Sequence, residues 1–155
     1  TREKDMSFQQ KNIAASLLTF SLILGFYVIW VLRLIATEGF SAPNLFQTWG
    51  IIALLAVLGT ILVSILAHIA GGVAHKIRTN EDPRISDIQD ERDQLINLKG
   101  SRVAYTCATL GVALSMLTFV LGQSPLVMFA SLIFFGLLAQ IIADGYRLAL
   151  YRKGF

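Results

Sequence analysis

Four long apolar runs dominate this chain, at about residues 12–35, 48–73, 103–122 and 125–143, and none contains a Lys, an Asp or a Glu. A helix needs about 20 such residues to cross the hydrocarbon of a bilayer. The runs are continuously apolar, without the alternation of a lipid-facing barrel strand, and a helix satisfies its backbone N–H and C=O groups within itself. Each run is therefore expected to be a membrane-spanning helix. The composition agrees: 55% of the 155 residues are hydrophobic and the mean hydropathy is +0.64, which points to lipid as the surroundings. The first run is longer than the roughly 7–15 residues of a signal-peptide core and is expected to be kept as a span.

Basic residues set the expected orientation. Arg2, Lys4 and Lys11 precede span one, six Lys or Arg residues lie between spans two and three, and Arg147, Arg152 and Lys153 end span four. Twelve of the thirteen basic residues thus fall on one side, leaving Arg33 on the other. The positive-inside rule makes that side cytoplasmic, with both termini. Basic residues that flank spans in this way serve the membrane, so the net charge of +3 gives no reason to expect nucleic acid as a partner. Trp30, Phe40, Phe46 and Trp49 gather at the outer boundary and Tyr105, Tyr146 and Tyr151 at the inner one, as interfacial aromatics do.

The link between spans three and four is only Gly122-Gln123-Ser124-Pro125, which forces antiparallel neighbours, with Pro125 suited to a first helical turn. Gly100, Ala104, Ala108, Gly111 and Ser115 form a stripe of small residues along span three that allows a close helix approach. The expected fold is an all-α membrane protein, a compact four-transmembrane-helix bundle forming a single domain over residues 1–155.

The charge that the spans lack is concentrated between spans two and three. Asp82-Pro83 reads as an N-cap followed by proline at the first helical position, and Ile85, Ile88, Leu95 and Ile96 recur near one face, so a cytoplasmic amphipathic helix is expected at about residues 83–99. Gly100 should interrupt it or mark its bend into span three. Asp87, Asp90 and Asp93 lie three residues apart with Glu91 and Arg92 between them, and like charges at that spacing repel by a few tenths of a kcal/mol each. A basic partner should offset the row, either Arg147, Arg152 and Lys153 at the end of span four and Arg2, Lys4 and Lys11 before span one, or a surface on another subunit. A divalent cation would need more converging oxygen ligands than one helix supplies.

The tetrapeptide Asp90-Glu91-Arg92-Asp93, followed by Ile96 and by Lys99 at the entrance to a span, resembles the DERD-x-x-I signature of an uncharacterised family of small prokaryotic multi-span membrane proteins. The likeness covers about 20 residues and the span layout. It implies a prokaryotic inner (plasma) membrane and assigns no activity.

Polar residues cluster toward the same end of the spans. Ser64, His68 and His75 share a face of span two, Gln140, Asp144, Arg147 and Tyr151 a face of span four, while Asn12 and Ser16 begin span one and Ser101 and Tyr105 begin span three. If they face inward they line a vestibule, with His68, His75, Tyr105, Gln140, Asp144 and Arg147 as its candidate binding residues. Asp144 and Arg147, three apart on a helix near its end, can equally pair with each other. Two histidines are too few for zinc, and a transmembrane haem needs ligands from opposite sides, so no metal or cofactor is expected. Cys107 stands alone in an apolar run, and no nucleophile, phosphate-loop or metalloprotease signature appears. The leading expectation is a non-enzymatic protein acting by association, as a homo-oligomer or accessory subunit, through its charged helix. The alternative is a small transporter or channel using the vestibule.

Overall fold

The computed structural model describes residues 8–79 and 91–153. Within them the chain is all-helical: α1 (Phe8–Ala36), α2 (Ala42–Thr79), α3 (Glu91–Val120) and α4 (Pro125–Arg152). All four are long and apolar enough to cross a membrane. At 1.5 Å per residue the 38 residues of α2 measure about 57 Å, well beyond the roughly 30 Å of hydrocarbon, so this helix protrudes.

Local chemistry sets the turns. Gly122 ends α3 with φ of 84°, a left-handed conformation that glycine adopts without steric cost. The Gly122 N–H donates to the Phe119 carbonyl and the Gln123 N–H to that of Thr118, a Schellman closure of the helix. Pro125 then opens α4, where its missing N–H costs no hydrogen bond. Between α1 and α2, Glu38 takes a positive φ of 56° and the Asn44 side chain donates to the Gly39 carbonyl at 2.8 Å, tying the start of α2 to the turn.

α4 is the central helix. It packs most extensively on α3, next on α1 and slightly on α2, while α1 also packs on α2. Among the described residues α2 and α3 share no extensive contact, so the helices group around α4. The small-residue stripe of α3 faces α4: Gly100, Gly111 and Ser115 are buried. A Cβ on Gly111 would collide with the Phe135 ring, and one on Gly100 would lie 2.5 Å from Cγ of Arg147. These positions let α3 and α4 approach closely in a medium where apolar burial drives helix association only weakly.

The interior has two apolar clusters. Ile23, Tyr27, Ile52 and Leu137 join α1, α2 and α4 at the level where Phe20, Leu24 and Ile133 also pack. Ile13, Ile96, Leu150 and Tyr151 join α1, α3 and α4 at the opposite end, where α1 and α3 begin and α4 finishes. The Tyr27 hydroxyl adds a polar tie across the first cluster, donating to the Ala130 carbonyl at 2.7 Å. Outside these clusters, large Leu, Ile, Val and Phe side chains stand exposed on all four helices, as surfaces solvated by lipid. Hydroxyls on the same surfaces are satisfied locally: Ser21, Thr106 and Thr109 each donate to the carbonyl four residues earlier.

Of the two outcomes expected at Gly100, the interruption is not found. Glu91–Lys99 is not part of a helix separate from span three, because α3 runs unbroken from Glu91 through Gly100 to Val120. A glycine within a helix costs only about 1 kcal/mol relative to alanine. Here its bare backbone accommodates the Arg147 side chain, so the position serves packing instead of interruption. Residues 83–90 of the expected cytoplasmic helix, including Asp87 and Asp90, lie outside the described residues.

Candidate functional site

The polar groups of the bundle converge on Asp144, one residue beyond buried Ala143 on α4 and itself only 2% exposed. Its carboxylate accepts from three side chains: Ser16 Oγ of α1 at 2.8 Å, Gln140 Nε2 one turn back on α4 at 3.1 Å, and Arg147 Nη1 one turn on at 2.6 Å. Removing a charge from water without such partners costs several kcal/mol, and three donors together with an adjacent cation compensate it. Arg147 reaches onward from α4 to α3, where Nη2 donates to Ser101 Oγ at 3.3 Å. Its Nε is buried without an acceptor, pressed against Gly100. One ion pair and three hydrogen bonds thus connect α1, α3 and α4 at the depth where α4 leaves its most apolar stretch.

This network forms one wall of a cavity of about 170 Å³. All four helices contribute: Asn12, Ser16 and Thr19 from α1, Gly59, Thr60 and Ser64 from α2, Asn97 from α3, and Gln140, Asp144 and Arg147 from α4. Helical spacing explains the alignment, since Asn12, Ser16 and Thr19, and likewise Thr60 and Ser64, recur three or four residues apart and so share a face. α2 comes close to α1 here because Gly59 leaves room for the Thr19 methyl, which a Cβ would meet at 2.8 Å.

Of the candidate vestibule residues, the structure gathers Gln140, Asp144 and Arg147 in this cavity. Tyr105 does not join them. It is 75% exposed, because it follows Ala104 of the packing stripe and is turned about 100° away from α4. His68 and His75 lie on the backbone of α2, but their side chains are outside the described part of the structure. Among the described residues no group of three or more His, Cys, Asp or Glu side chains is placed to hold a metal ion. Asn97, Thr19 and Thr60 are cavity residues that the sequence reading did not single out. Asn97 lies four residues before Ser101 on the same face of α3, a spacing that could have revealed it.

The acidic end of α3 is engaged within the fold at one point. Asp93 Oδ1 accepts from the Tyr151 hydroxyl of α4 at 2.7 Å, and the Arg92 guanidinium carbon lies 6.0 Å from the centre of the same ring. Among the described residues, the hydrogen-bond partner of Asp93 is thus a tyrosine at the end of α4, while Asp87 and Asp90 of the row lie outside them. Glu91 and Arg92 are exposed. Comparison with protein-family models, with curated proteins and with solved structures finds no match to this chain.

Proposed function

We propose that this chain is a small transporter or channel of a prokaryotic inner membrane, with both termini cytoplasmic and the cavity beside Asp144 as its solute site. The observation that carries the reading is the convergence of polar side chains from four otherwise apolar helices on one cavity. Ionisable groups at membrane depth are costly, and a buried carboxylate and guanidinium such as Asp144 and Arg147 are functional-site candidates by default. The protein's basic end carries the cavity, so its mouth opens toward the cytoplasm in the orientation that the positive-inside rule assigns.

The test is flux through purified protein in liposomes, read by osmotic swelling for neutral solutes and by ion-sensitive dyes for ions. Asn97→Trp, which places a large ring in the cavity wall, is expected to abolish whatever flux the unmodified protein supports. Protein-dependent flux of no probe at all would contradict the reading.

A second reading, association with another membrane subunit through the acidic end of α3, is supported by the exposure of Glu91 and Arg92 beside the engaged Asp93. It predicts that reversing Asp87, Asp90 and Asp93 to Lys dissociates a complex seen by native mass spectrometry, and a monomeric unmodified protein would sink it.

A further inference from the structure

The class of solute can be read from which polar groups in the cavity remain available, an inference that rests on the solute-pathway reading above. The charged groups in the described wall are Asp144 and Arg147, and they neutralise each other across 2.6 Å. A carboxylate offers about four lone-pair sites, and Ser16, Gln140 and Arg147 already occupy three of those on Asp144. On Arg147, Nη1 is held by Asp144, Nη2 by Ser101, and Nε lies against the backbone at Gly100. The pair is neutral as a unit and the unpartnered Nε is buried out of reach, so a free ion would have to shed its water without an unbalanced counter-charge to replace it.

Among the described residues the remaining wall is neutral, with a defined polarity. Thr19 and Thr60 donate their hydroxyl protons to the carbonyls of Ala15 and Ala56, at 2.9 and 2.7 Å, and so present only lone pairs to the cavity. The carboxamides of Asn12 and Asn97 are half-buried in the wall, with no hydrogen bond to a described residue, and each offers an acceptor and two N–H donors. The available groups are therefore amide donors and acceptors with hydroxyl acceptors beside them.

We propose that this cavity admits small uncharged solutes that both donate and accept hydrogen bonds, of the amide, urea or polyol class, and discriminates against inorganic ions. The cavity size of about 170 Å³ suits one such molecule or several waters. Selection against ions follows from the internally satisfied charge pair, and recognition of the neutral solute follows from Asn12 and Asn97.

The experiment uses the full chain in liposomes, with urea and glycerol as neutral probes and potassium and chloride as ionic ones. Swelling in urea or glycerol at least ten times faster than in protein-free liposomes, with ion leakage no greater than theirs, is the expected result. Potassium or chloride flux equal to or faster than neutral flux would overturn the solute class while leaving the pathway reading in place. Silence toward all four probes would overturn both. Two variants address the carboxamides with the helical content checked by circular dichroism. Asn12→Leu with Asn97→Leu should lower neutral flux at least several-fold, and the near-isosteric Asn97→Asp should raise potassium leakage relative to urea flux. Neutral flux unchanged in the double variant would overturn the role assigned to these residues.

Discussion

At the scale of single residues, the closest fit in the protein is Arg147 against Gly100. Any Cβ at this position would overlap Nε of Arg147 and lie 2.5 Å from its Cγ, so Gly100→Ala must displace the guanidinium that holds Asp144. Overpacking of this kind costs about 1–3 kcal/mol. Gly100→Ala is therefore expected to lower the thermal midpoint in detergent. Combined with Arg147→Ala it should cost clearly less than the sum of the two single changes, because the second removes the atoms that the first collides with. Strict additivity would show that the contact is not tight. Asp144→Asn should destabilise by about 3 kcal/mol, since it leaves the guanidinium without its anion. Ser16→Ala should cost about 1.5–2 kcal/mol, the low end for one hydrogen bond to a charged group. Thermal melts of both variants give the ranking directly, and an equal effect of the two would contradict it. The pairing of Asp144 with Arg147 was legible as a three-residue spacing on one helix. Their links to Ser16 and Ser101 were not, because they depend on which helices are neighbours.

At the scale of elements, the turns and the packing stripe were the clearest signals in the sequence. Gly122-Gln123-Ser124-Pro125 reads as a stop followed by a start, and the Schellman closure at Gly122 with Pro125 opening α4 is its structural counterpart. Gly122→Ala places a Cβ on a residue with φ of 84° and is expected to cost about 1 kcal/mol, measurable as a lower midpoint of thermal unfolding. An unchanged midpoint would mean the turn relaxes elsewhere. The stripe from Gly100 to Ser115 correctly marks the α4-facing side of α3, since small residues there have a geometric purpose in lipid. Where the sequence left alternatives open was Gly100, which it offered both as part of the packing stripe and as an interruption or bend of the helix. A glycine in a helix has two explanations, a break or a close contact, and only the position of Arg147 on another helix decides between them. Tyr105 was misplaced for a related reason: membership of a polar group near the span's end said nothing of its direction, whereas its offset of one residue from Ala104 did.

At the scale of the whole molecule, the four spans are legible because bilayer thickness imposes a length on each apolar run. The arrangement around α4 is not, because a lipid-facing side chain and a buried one are equally apolar and leave no polar stripe to orient the helix. That α2 and α3 share no extensive contact among the described residues is set by packing that no periodicity encodes. What the sequence does retain is the exception, the polar face, and this is why the cavity could be half read in advance: Gln140, Asp144 and Arg147 are polar where nothing around them is. The central claim is that this face meets water and not lipid. In a Cys107→Ser background, Thr19→Cys and Leu18→Cys put thiols at nearly the same depth on α1. Thr19 lines the cavity, whereas Leu18 is 63% exposed on the outer surface. The measurement is the rate at which each reacts in native membranes with a small thiol reagent too polar to partition into lipid. The account predicts that the Thr19→Cys protein reacts at least ten times faster than the Leu18→Cys protein; equal rates, or faster reaction at position 18, would contradict it.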